Sequence, residues 1–123
     1  MTTVYLHVGM PKCASSALQS FLHLSDARHR AEGLCYPVSS RETSGYFSHR
    51  PLHKLQPSEV PGAIRDIAAE AKAHRCDRLL ISSEEFVNSL WDQDITGHIV
   101  EALNNQFGTE NVRILMLFRN HFP

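Results

Sequence analysis

Val4-Tyr5-Leu6-His7-Val8 is a β-branched and aromatic run cut off by Gly9 and Pro11, the pattern of a buried strand that ends in a tight loop. From Ser15 onward Leu18, Phe21 and Leu22 recur at helical spacing, and Ser15 or Ser16 can cap the exposed amides of a helix start. The pattern therefore predicts a strand whose loop opens directly into a helix. Ser58 precedes a second periodic stretch in which Ile64, Ile67, Ala68 and Ala71 share one face, while Arg65, Asp66, Glu70 and Lys72 lie towards solvent. Arg78-Leu79-Leu80-Ile81-Ser82 reads as another buried strand. Ile95, Ile99, Leu103 and Phe107 mark a helix stopped by Gly108, and Val112 to Phe118 is the most strongly patterned strand of the chain.

Between Gly33 and Gln56 the pattern breaks down into Pro, Ser, Thr and Gly, so little regular structure is expected beyond a short strand at Leu34-Cys35-Tyr36. Substrate-facing loops often have this composition. His49 and His53 stand four apart in it, without the acidic partner of a zinc helix, and with Tyr36 and Arg50 they read as a solvated loop or, less favoured, as acceptor-facing residues. Strands alternating with helices of these lengths imply right-handed crossovers and a parallel sheet with helices on its faces, an α/β fold. The 123 residues make one domain, 1–123. The last strand runs into Arg119-Asn120-His121-Phe122-Pro123 with no helix to cover it, so the chain reads as the N-terminal portion of a larger domain, apparently truncated. Its uncovered apolar surface would favour homo-oligomers.

Composition narrows the chemistry. A formal net charge of -1 gives no overall attraction to nucleic acid or to an anionic membrane, so any anion site must be local. Cys13, Cys35 and Cys76 are odd in number and widely spaced, which suggests neither a disulfide framework nor a zinc site. No basic leader precedes the short apolar run at the N-terminus, and the expected location is the cytoplasm.

The local anion site has an obvious candidate. A strand, a Gly/Pro turn and a helix start aim successive amides at one point where the helix dipole is also positive, which suits phosphate. Lys12 adds a mobile full charge, Ser15 and Ser16 add hydroxyls, and Pro11 restricts the backbone entering the turn. The spacing is not G-x-x-x-x-G-K-[ST], since only Met10 and Pro11 separate Gly9 from Lys12. From the local pattern alone, a capped helix with one exposed lysine is the alternative.

Leu6-His7-Val8-Gly9-Met10-Pro11-Lys12-Cys13-Ala14-Ser15-Ser16-Ala17-Leu18-Gln19 resembles the donor-binding signature of the sulfotransferase family, in particular its bacterial and carbohydrate-type members. The resemblance implies a three-layer fold of the P-loop nucleotide-hydrolase type and the donor 3′-phosphoadenosine 5′-phosphosulfate (PAPS), leaving 3′-phosphoadenosine 5′-phosphate (PAP), with no metal. It places Gly9, Pro11, Lys12, Cys13, Ala14, Ser15 and Ser16 around the 5′-phosphosulfate. Ala14-Ser15-Ser16 stands where the family commonly has Gly-Thr-Thr. Val112 to Arg119 is similar to the family's later donor-binding strand, with Arg119 in the position of the arginine that holds the 3′-phosphate; taken alone, Arg119 reads as a solvated strand-end residue.

Sulfuryl transfer needs a base for the acceptor proton and a cation at the bridging oxygen of the leaving phosphate. Lys12 fits the second role. Glu84, just past the strand ending at Ser82, is the candidate base by its likeness to the family's catalytic position; Glu85 is the neighbouring alternative, and a dipole-favoured acidic first turn explains the pair equally well. The acceptor would be a small molecule or carbohydrate bearing a hydroxyl or amine. Two other readings remain open: a P-loop kinase using ATP and magnesium, and a non-catalytic nucleotide-binding remnant. His7, inside the first strand, reads as a core histidine whose ring bonds a neighbouring strand or loop.

Overall fold

The structure, a computed structural model, describes residues 2–8, 15–43, 47–83 and 93–116. Four strands, β1 (Thr3–Val8), β2 (Leu34–Cys35), β3 (Arg78–Ser83) and β4 (Val112–Met116), form one all-parallel sheet in the order β2-β3-β1-β4. Helices α1 (Ser15–Leu24) and α2 (Asp26–Ala31) connect β1 to β2; α3 (Val60–Ala73) leads from β2 to β3; α4 (Gln93–Phe107) leads from β3 to β4. The α/β class and the parallel sheet read from the sequence are both present.

Alternation along the strands decides which helix covers which face. Val4 and Leu6 of β1 and Leu79 and Ile81 of β3 pack with Val60, Ile64, Ile67 and Ala71 of α3 and with Ile99 and Leu103 of α4. Tyr5, Leu80 and Leu34 point the other way, to Leu22 of α1 and Tyr36. Ile64, Ile67 and Ala71 are buried as the spacing predicts, and Arg65, Asp66 and Lys72 are exposed. Gly108, with φ of 90°, ends α4 in a conformation that costs glycine little.

Three expectations are corrected. Glu70 is not a solvated residue of α3: its carboxylate accepts from the amides of Val38 (2.7 Å) and Ser39 (3.0 Å) and from the Ser39 hydroxyl (2.8 Å), tying the segment after β2 to the helix. Burial opposes its ionisation, but the three hydrogen bonds outweigh that and hold its pKa below the usual value. Tyr36 and His49 do not lie in a solvated loop either. Tyr36, Leu52 and His49 are fully buried, a 3-10 turn covers Arg50–Lys54, and Arg41 makes a two-pronged contact with Asp26 (2.7 and 3.1 Å). Hydroxyl and carbonyl partners, rather than apolar residues, allow these polar groups inside. Finally, the strand expected at Leu34-Cys35-Tyr36 is only two residues long.

β4 lies at the sheet edge, with Ile114 69% exposed and Leu115 38% exposed. Ile67, by contrast, is sealed between α3 and the sheet. Urea unfolding should therefore show Ile67→Ala losing about 3 kcal/mol of stability and Ile114→Ala losing under about 1 kcal/mol.

Candidate functional site

In the parallel register Val8 of β1 stands between Ser83 of β3 and Met116 of β4. Three chain segments thus leave three adjacent strands at one edge of the sheet: residues 9 onward, 84 onward and 117 onward. Adjacent strands are about 4.8 Å apart, so these exits are close neighbours. They are also the segments that carry the loop, Glu84 and Arg119. The chain leaves β1 and β3 in opposite directions along the sheet, and open α/β sheets bind ligands at such a carboxyl edge.

Gly9, Pro11, Lys12, Cys13 and Ala14 lie outside the described residues, as do Glu84, Glu85 and Arg119. Ser15 and Ser16 are the first described residues of α1, in line with the helix expected from Ser15 onward. The first amides of any such helix have no partner within it and carry its positive dipole end.

The described part of this edge is organised around Ser82. Its Oγ accepts a hydrogen bond from Gln19 Nε2 of α1 (2.9 Å) and pairs with His7 Nδ1 of β1 (2.7 Å). Its backbone amide donates to His49 Nδ1 (3.0 Å), and its carbonyl accepts from the His49 amide (2.7 Å). His49 Nε2 in turn bonds the Pro37 carbonyl (2.8 Å), where it must be the donor, so the ring is the neutral Nε2–H form. Tyr36 closes the group by donating to the Phe47 carbonyl (2.7 Å) and meeting the His49 ring edge-on.

Sequence reasoning placed His7 against a neighbouring strand, and the Ser82 contact bears that out. It missed Gln19, Ser82, Tyr36 and His49 as one cluster. Periodicity gives the faces of His7, Ser82 and Gln19, but the side chain of His49 enters from an irregular segment that has no period to read.

Burial pulls the His49 pKa down to about 4, against the weaker opposing effect of its hydrogen bond to the Pro37 carbonyl, and burial also lowers that of His7. The His49 imidazole is not poised to titrate near neutrality in this state. Burial, with Glu70 beside it, pushes the Cys35 thiol up to about 12, so Cys35 is not an activated nucleophile. Among the described residues no group of three His, Cys, Asp or Glu side chains could hold a metal ion, and no helix is long and apolar enough to cross a membrane.

No family model, curated protein or solved structure matches this chain. The case for a site thus rests on its own geometry. That geometry also separates the carboxyl edge from an open groove of about 810 Å³ at the opposite edge, bordered by Thr2, Arg65, Lys72, Arg75, Asp77 and Phe107. Thr2 and Asp77 precede β1 and β3, so the groove lies at the amino ends of the strands, away from the loop.

The neutral ring of His49 has a consequence for stability. Its folded pKa lies below the unfolded value near 6.5, so the unfolded chain binds the extra proton first. Stability attributable to it is complete above about pH 6.5 and lost as the pH falls towards 4, a loss of roughly 3 kcal/mol. Urea midpoints measured across that range should fall for the parent chain and run flatter for His49→Gln; parallel profiles would contradict the buried neutral ring.

Proposed function

We propose that the chain is a sulfotransferase-like domain that binds PAPS at the loop following β1 and passes its sulfuryl group to a hydroxyl or amine of a small-molecule or carbohydrate acceptor. The observation that carries this reading is the register at the carboxyl edge, with Val8 between Ser83 and Met116. It supports a shared site for three segments that the sequence resemblance had picked out separately: the Gly9 to Ser16 loop, Glu84 and Arg119. The presence of α1 from Ser15 onward supports an anion site, because the amino end of a helix favours phosphate.

In this reading Lys12 and the amides of the loop hold the 5′-phosphosulfate, and Arg119 holds the 3′-phosphate through its planar fork. Glu84 takes the acceptor proton as the acceptor oxygen or nitrogen attacks sulfur. The bond from sulfur to the bridging phosphate oxygen breaks, Lys12 offsets the charge gathering on that oxygen, and PAP is the leaving product. A three-layer domain of the P-loop type is the matching architecture.

Calorimetric titration with PAP tests the donor half. The parent chain should bind, Lys12→Ala and Arg119→Ala should each weaken binding by roughly tenfold or more, and a chelator should change nothing. Magnesium-dependent ATP binding in place of PAP binding would turn the reading into that of a kinase. For the transfer half, Glu84→Gln should abolish sulfation of an accepted substrate with PAP affinity intact; unchanged turnover would remove Glu84 from the mechanism.

A further inference from the structure

His7 is completely buried, and its Nε2 has no hydrogen-bond partner among the described residues. His23 and His29 also leave one ring nitrogen unpaired, but both are only half-buried. An unmet polar group in a fully buried residue is costly enough to call for a partner. Which kind of partner it takes depends on the tautomer of the ring. Ser82 Oγ accepts from Gln19 Nε2, and its one proton can go to His7 Nδ1. Given to His7 Nδ1 at 2.7 Å, that proton leaves Nε2 as the N–H of the neutral ring.

The position of the ring is fixed by the same oxygen. His7 and Gln19 meet on Ser82 Oγ, and Gln19 lies four residues, about one helical turn or 6 Å, from the first residue of α1. His7 stands off the sheet on the face that α1 covers, with Nδ1 turned towards β3. Its outer nitrogen therefore lies in the layer beneath the amino-terminal turn of α1. The described part of α1, ten residues from Ser15, has the positive end of its dipole there.

We propose that His7 is an anion-binding residue: Nε2–H donates to a phosphate or sulfate oxygen held at the start of α1, with Ser82 and Gln19 fixing the ring for that purpose. The proposal deepens the donor-binding reading and rests on it for the identity of the anion as the 5′ group of PAPS or PAP. It adds to the loop a donor that comes from the strand before it. Ser82 is a positioning residue in this scheme, setting the tautomer from one bond away.

The test reads the imidazole directly. Long-range proton–nitrogen correlation spectra of the chain should show His7 in the Nε2–H form, and titration with PAP should shift Nε2 and its proton while leaving the His49 ring unmoved. An Nδ1–H tautomer, or a His7 ring indifferent to PAP under conditions where calorimetry shows binding, would overturn the proposal and leave the donor-binding reading standing. If calorimetry shows no PAP binding but inorganic phosphate shifts Nε2, the anion role stands and the nucleotide is wrong; with neither effect, both fall.

Two isosteric variants give a second readout. Glutamine places its amide near Nε2 and asparagine near Nδ1. His7→Gln should keep PAP affinity within about threefold, whereas His7→Asn should lose roughly tenfold or more, provided both unfold at urea concentrations close to the parent. Equal affinities in two folded variants would assign His7 to packing alone.

Discussion

Beyond Cys35 the edge of β3 loses its neighbouring strand, because β2 is only two residues long. The backbone groups of Ser82 would then face the interior unpaired, a cost that folded chains rarely accept. His49 removes it by acting as a one-residue substitute for a strand. Its amide bonds the Ser82 carbonyl and its ring accepts the Ser82 amide. Because backbone and side chain of one residue serve the two groups, the irregular segment can cross the sheet edge at a single point. That frees the Ser82 hydroxyl to face the opposite partners, β1 and α1. The carboxyl edge is thus held by one serine on which an edge segment, a central strand and a helix converge.

How much of this could be read from the chain follows from the same physics. The apolar alternation of Val4 to Val8 and of Leu79 to Ile81, and the spacing of Ile64, Ile67 and Ala71, report burial against apolar neighbours, and the sheet and its helices follow from them. Tyr36, Arg41 and His49 are buried for a different reason: each meets a specific carbonyl or carboxylate, Phe47, Asp26 or Pro37. Such partners are distant in sequence and leave no period. Glu70 is the same case in reverse, a residue on a helix face that reads as solvated until the segment after β2 folds over it. The candidate site divides along that line: its segments were legible from strand ends and a resemblance, while the supports of its floor were not.

The arrangement also explains why the edge near Val8 is the better site than the groove beside Arg65 and Lys72. At the amino edge the strands begin, and charged side chains at the end of α3 can meet its negative dipole end without any ligand. At the carboxyl edge α1 presents the positive end of its dipole, and among the described residues the fully buried His7 leaves its Nε2 without a partner there. Complementarity to an anion is therefore concentrated where three strands deliver their segments. A site of this kind needs little net charge on the protein, which fits a formal charge of only -1. In the proposed reading the attraction for phosphate is made locally, by dipoles and a few directed N–H groups set on β1, α1 and β3, which Ser82 ties to one another.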